Sequence, residues 1–451
     1  MNTRTQPHRG TGRQILALAV PALGALIAEP MFLLADSAIV GHLGVAELAG
    51  LGLASTILQT AVGLMVFLAY STTGTVARFL GAGRRGDAVA AGRDGIYLAV
   101  LLGLLLSAAG TLLAPALATA LGADGAVHRF AVDYLQWSMP GLTAMLVVLA
   151  ATGMLRGLQD TKTPLLVAGV GFAVNIGLNF LLVYGAGLSV AGSAMGTSLT
   201  QLGMALVYVL MLARMARREG TRLRPDPHGV RAVARVGSWL MLRTLSLRVA
   251  VLAAVVVATA QGPVQLAAHQ LVMTVFTFLA FALDALAIAA QALIGKELGA
   301  GNAPLVRRLT GTMVRWGVGF GVLTGAALAL AAPHLGALFS PDPGVQQAMA
   351  AGLFVLAAAQ PICGLVFVLD GVLIGAGDAR YLALTGLLNL AAYLPLLWAV
   401  HLAAPTGSAA TAWLWAAFGL GYMLARALTL SWRARQEAWM VPGATAGRAN
   451  D

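Results

Sequence analysis

Long apolar runs, each closed by a short polar or Gly/Pro break, leave this chain one kind of architecture. A helix needs roughly 20 mainly apolar residues to cross a bilayer, and runs of at least that length recur from Ile15 to Trp432. We count twelve, over 14–40, 47–79, 94–121, 127–155, 163–185, 190–213, 232–261, 265–295, 306–339, 344–375, 380–403 and 408–432. Barrel strands would instead be about ten residues long with apolar and polar positions alternating, which these runs do not do. With 59% hydrophobic and 10% charged residues the chain has too little polar surface for a globule in water. The expected fold is therefore an all-α membrane protein of twelve transmembrane helices.

Charge placement gives the orientation. Assigning successive breaks alternately to two sides puts nearly all of the 28 Lys and Arg residues on one side. Only Arg129 falls at a break on the other, while Arg243, Arg248 and Arg315 lie more than two helical turns inside spans. Basic residues collect on the cytoplasmic side, so both termini are expected in the cytoplasm of a multi-pass protein of the cell membrane. The net charge of +11 is explained by this asymmetry and calls for no nucleic acid partner. Arg4, Arg9 and Arg13 precede an apolar run that is too long for a signal peptide and carries acids, so it is kept as the first span. Single Cys363 excludes an internal disulfide.

Three segment pairs align at a constant offset of 218 residues: RFLGAG (78–83) with KELGAG (296–301), APALATALGADGAV (114–127) with APHLGALFSPDPGV (332–345), and GLQD (157–160) with GAGD (375–378). The chain reads as a duplicated six-helix unit, with an N-terminal lobe over 1–215, a basic linker over 216–229 and a C-terminal lobe over 230–451. Six is even, so the two copies enter from the same side and run parallel, the arrangement of a transporter working by alternating access.

The departures from the repeat carry the chemistry. At this offset Asp36 meets Ala254, Asn175 meets Tyr393, Asn179 meets Leu397, Asp284 meets Val66 and Asp370 meets Thr152. An acid inside a span costs about 2.5–3.5 kcal/mol on insertion scales and marks a functional site by default. Asp36 ranks first. Glu29 lies two turns earlier on the same helical face and can share its cavity, and Pro21 and Pro30 can bend that helix. Asn175 and Asn179 share a face in AVNIGLNF, and Ser193, Thr197 and Gln201 form a stripe in AGSAMGTSLTQLG. Such groups also join helices, and Gly192 with Gly196 makes a small-residue packing face. In the second half Asp284 and Asp370 are candidates for the cavity; an internal ion pair of Arg243 with one of them is the structural alternative.

GAGRRG (81–86) fits G-x-G-x-x-G but follows a membrane helix rather than a strand, and GAGD alone is no protease. The sequence has no P-loop, H-E-x-x-H or nucleophile elbow, so no enzyme, cofactor or ATP drive is expected.

AEPMFLLADSAIVGHLG, LGLAST, MLRGLQDTKTPL, LRTLSLR, LAAHQL and DALAIAAQALIGKELGAGN together resemble the multidrug and toxic compound extrusion family, in its DinF-like branch. The resemblance spans both halves. It implies two lobes forming a V and antiport of organic, often cationic amphipathic, compounds against protons or sodium. It also implies that Asp36 is the coupling acid, Pro21 the bending proline, Thr197 the threonine of the sixth span and Tyr134 a cavity tyrosine. The family pair Asn-then-Asp is here Asn175 and Asn179, so one carboxylate is missing. We therefore expect proton coupling through Asp36 in a monomer, with Asn175, Asn179 and Thr197 around it. Sodium held by Asp36, Asn175 and Asn179 is one alternative. A lipid-linked saccharide flippase of the same superfamily is another, disfavoured by the few basic residues within the spans.

Overall fold

The computed structural model describes residues 9–444, apart from the side chains of Arg9 and Glu29, and every regular element among them is helical. Twelve helices are long and apolar enough to cross a membrane: α1 (Gly10–Gly41), α2 (Val45–Gly81), α3 (Arg85–Ala120), α4 (Gly125–Gly157), α5 (Lys162–Gly185), α6 (Ser189–Arg218), α7 (Pro227–Gln261), α8 (Pro263–Gly299), α9 (Ala303–Phe339), α10 (Pro343–Ala376), α11 (Ala379–Ala403) and α12 (Gly407–Arg435). Leu101, Leu105 and Leu112 stand exposed on α3, a stripe that water would penalise and lipid covers. The helices extend several residues beyond the apolar runs, because amphipathic turns carry Arg and Gly/Ser positions that lower the hydropathy without ending the helix.

The chain divides into two compact units, one of Ala17–Ser238 and one of the described residues of Met1–Leu16 and Trp239–Asp451. The divisions fall inside α1 and α7, not in the 216–229 stretch expected to be the linker. That stretch is tied down: Arg93 on α3 donates to the Arg222 carbonyl, and the Asp94 carboxylate accepts from the Asp226 backbone N–H at 3.2 Å. It therefore belongs with the first unit.

The duplication is visible in backbone detail. Helices α2 and α8 end at Gly81 and Gly299, and α3 and α9 start at Arg85 and Ala303, at the same offset read from the sequence. Gly83 and Gly301 both turn the chain at φ 74, a left-handed conformation that favours glycine. Inside the units, a side chain at Gly153 or Gly157 of α4 would strike the α2 backbone at Ala69 or Thr73. The equivalent Gly371 and Gly375 of α10 press on α8 at Ala287 and Gln291. Small residues let membrane helices approach where no hydrophobic force between them exists. Gly371→Val is expected to lower stability by about 2–4 kcal/mol through overpacking; an unchanged thermal midpoint in detergent would contradict this packing.

Several arginines counted from sequence among the cytoplasmic-side charges sit within the helices. Arg78, Arg93, Arg156 and Arg426 are within helices and buried.

Candidate functional site

Asp36 sits near the end of α1, 2% exposed, and its carboxylate is the acceptor at the centre of a polar network. The Tyr134 hydroxyl of α4 donates to Oδ2 at 3.3 Å, the Thr197 hydroxyl of α6 donates to Oδ2 at 3.2 Å, and Nδ2 of Asn179 on α5 donates to Oδ1. Behind them Nδ2 of Asn175 donates to the Thr197 Oγ1 at 3.0 Å, and Asn179 Nδ2 also reaches Asn175 Oδ1 at 3.4 Å. Both asparagines are fully buried. Four helices of one unit thus converge on one acid, and among the described residues Asp36 forms no ion pair.

Local sequence explains the convergence. Asn175 and Asn179 are one turn apart, so both face α6. Gly192 and Gly196 lie against α5: a side chain at Gly192 would meet the Leu182 backbone, and one at Gly196 would meet the Asn179 amide. The absent side chains let α6 come close enough for Thr197 to bond Asn175. The Tyr134 ring packs in an apolar cluster with Val40, Leu51, Ala54 and Leu142, which aims its hydroxyl at Asp36. Thr163 and Lys162 start α5 on the Asp160 carboxylate, which accepts from both backbone N–H groups and the Thr163 hydroxyl; DTKTP is a helix cap. At the other end of α5 a π-helical turn over Leu181–Gly185 points the Tyr184 hydroxyl at the Ile39 carbonyl, 2.6 Å away and one turn beyond Asp36.

The structure therefore brings together Asp36, Tyr134, Asn175, Asn179 and Thr197. Tyr184 was missed, since only the π-helical turn reveals its reach; a tyrosine at the end of an apolar span carries no such signal. Pro21 lies within α1, whose helix continues through it and Pro30. The Glu29 side chain lies outside the described residues. Ser193 is fully buried, and the Asn179 Oδ1 has no hydrogen-bond partner among the described residues.

Of the second-half candidates, Asp284 is half-buried on α8. Asp370 on α10 is held by Arg243 of α7, with Nε 3.1 Å from Oδ1 and a second bond from Nη2 to Oδ2, and Nη2 of Arg426 on α12 stands 3.4 Å from Oδ2. The structural alternative weighed for Arg243 is the arrangement found. Arg426, counted from sequence among the cytoplasmic-side charges, completes it.

Comparison with known proteins shows likeness of sequence and of fold. The MatE family model matches residues 21–181 and 230–398. The chain is 30% identical over 395 residues to Protein DETOXIFICATION 44, chloroplastic, of Arabidopsis thaliana, covering 84% of this chain and 75% of that protein. It is 28% identical over 368 residues to the DNA damage-inducible protein F of Escherichia coli, covering 80% of each. Its fold is similar to the crystal structure of a mutant of the Vibrio cholerae MATE transporter VcmN, with a TM-score of 0.86 at 22% identity over 97% of this chain and 98% of that one.

Proposed function

We propose, from the premise that the chain belongs to the MatE family of multidrug and toxic compound extrusion transporters, that it exports cationic amphipathic organic compounds in exchange for protons. Asp36 is the proton carrier. The observation behind this reading is a buried carboxylate whose hydrogen-bond partners, Tyr134, Asn179 and Thr197, are all neutral. A carboxylate locked to an arginine has its charge answered permanently. One surrounded by hydroxyls and amides has it answered only in part, because burial penalises an ion that no opposite charge compensates. Such a group can exchange its charge partner, taking a proton in one state and an organic cation in the other.

Hydroxyls suit the exchange. Those of Tyr134 and Thr197 donate to the charged form and can rotate to accept from the protonated form, so the network survives both states. The proton and the cation compete for one acid, and that competition couples the fluxes. One-for-one exchange of a proton for a monovalent cation moves no net charge, so the membrane potential cancels and the pH gradient drives export, with about 1.4 kcal/mol, a tenfold concentration ratio, per pH unit. The same reading makes the chain a multi-pass protein of the cell membrane with both termini in the cytoplasm.

Sodium coupling is the second reading, and the Asn179 Oδ1, without a hydrogen-bond partner among the described residues, favours it. With Asp36, Asn175 and Thr197 that oxygen would give a hard cation several ligands. Proteoliposomes separate the two. Under an imposed pH gradient with equal sodium on both sides, transport of a fluorescent organic cation is expected to rise severalfold, and under a sodium gradient at equal pH it is expected to stay at background. The reverse pattern would overturn the proton reading.

A further inference from the structure

At the end of α1 the backbone tightens: the Leu43 N–H donates to the Val40 carbonyl at 2.9 Å instead of reaching four residues back to Ile39. The last carbonyls of a helix need partners from outside its own ladder. Side chains supply two of them. His42 Nδ1 lies 2.6 Å from the Ala38 carbonyl, and the Tyr184 hydroxyl of α5 donates to the Ile39 carbonyl at 2.6 Å. The first contact is local to α1, whereas the second joins α1 to α5.

Tyr184 reaches that carbonyl because α5 changes its winding. Asn179, which donates to Asp36, stands five residues before Tyr184. In a regular α-helix five residues would turn the side chain about 140° away. Here the Ala186 N–H bonds the Leu181 carbonyl, five residues back, at 2.9 Å, so the turn holds an extra residue and position 184 comes round towards the face that carries Asn179. An edge contact with Phe180, ring centroids 5.0 Å apart, sets the Tyr184 ring. Helix α5 therefore grips α1 at two places one turn apart, the Asp36 carboxylate and the Ile39 carbonyl. Tyr184 is 41% exposed and Asp36 2% exposed, so the tyrosine lies at the surface and the acid one turn deeper.

We propose that Tyr184 is a positioning residue for the coupling acid: by holding the last turn of α1 on α5 it keeps the Asp36 carboxylate against Asn179 and covers it from the outer side. This deepens the reading of Asp36 as the proton carrier and rests on it. When Asp36 takes a proton, the charge that the Asn179 amide answers is gone. The Tyr184 bond joins two neutral groups and is unchanged. The grip at Ile39 thus keeps the acid covered while its charge partner is exchanged, and opening the outer side requires that bond to break.

The test is chemical modification of Asp36 by a membrane-impermeant cationic carbodiimide, applied at one fixed pH to intact cells producing the full chain and read by mass spectrometry. Asp124, exposed in the break between α3 and α4 on the same side of the spans as the end of α1, is the reference, and Asp36→Asn is the blank. The reagent reaches Asp36 only in molecules whose outer side has opened, so its rate follows the population of that form. Tyr184→Phe keeps the ring and removes one neutral hydrogen bond. It is expected to raise the Asp36 rate, relative to Asp124, about fivefold. With 4-aminophenylalanine at position 184 a donor returns to the same place, and the parental rate should return with it. Equal rates in the parent and Tyr184→Phe, or no modification of Asp36 in either, would overturn the proposal. So would a faster rate that the amino side chain fails to restore, because ring packing rather than hydrogen bonding would then hold α1. Should Asp124 prove unreactive, the orientation is reversed and inside-out vesicles carry the same comparison. The rates require no transport, so failure here is distinguishable from failure of Asp36 as the coupling acid.

Discussion

Cells producing Asp36→Asn at the parental level are expected to export a fluorescent cation such as ethidium no faster than cells without the protein. The substitution is nearly isosteric, and its neighbours can adapt. The hydroxyls of Tyr134 and Thr197 rotate to accept from the new amide or to donate to its oxygen, so the fold should lose no more than about 1 kcal/mol. What disappears is the one group in the network that can change charge: Tyr134, Asn175, Asn179 and Thr197 are neutral, and among the described residues no arginine or lysine donates to Asp36. Loss of export with an unaltered elution profile and thermal midpoint is the expected pair of results. Retained export by a well-folded variant would remove Asp36 from the mechanism.

Asp370→Leu should behave in the opposite way. Its carboxylate compensates Arg243 and approaches Arg426, both buried. Removing one member of a buried ionic cluster costs about 3–5 kcal/mol because the remaining charges stay desolvated. The variant should accumulate poorly or melt well below the parent, as read by fluorescence-detected size exclusion over a temperature series. A hydrophobic replacement of all three, Arg243→Met with Asp370→Leu and Arg426→Met, should recover most of the loss, since no charge is then left buried. An unchanged midpoint for Asp370→Leu alone would contradict a structural role for the acid. These two intramembrane acids thus separate by the charge of their partners: neutral around Asp36, positive around Asp370.

That distinction was only half legible in the sequence. Asp36, Asn175 and Asn179 could be grouped because each breaks a repeat that is otherwise kept, and because helical spacing puts the asparagines on one face; Thr197 joined them through its polar stripe and the family resemblance. Tyr134 came from the family resemblance, and the structure places its hydroxyl on the same carboxylate. The pairing of Asp370 was open between Arg243 and nothing, since neither spacing nor composition says which helices touch. Arg426 went unseen as a partner because α12 ends in several arginines and its charge resembled the cytoplasmic fringe. Burial of an arginine depends on what packs over it, and that information is not local. The twelve spans and the 218-residue offset were readable because both are periodic properties of long segments. The close passages of Gly153 and Gly157 over α2, and of Gly371 and Gly375 over α8, were not, since a glycine in a membrane helix looks the same whether or not a neighbouring backbone occupies the place of its missing side chain. The stretch at 216–229 looked like a free linker because it is polar and basic. Its attachment runs through Arg93 and Asp94, more than a hundred residues earlier.

Everything in the coupling account depends on Asp36 giving up its proton when an organic cation binds. Purified protein in weakly buffered detergent solution, mixed with tetraphenylphosphonium in the presence of a pH indicator, should release a proton per protein, and Asp36→Asn should bind the same cation more weakly and release none. Binding of the cation by the unaltered protein without any proton appearing in solution would contradict the account directly.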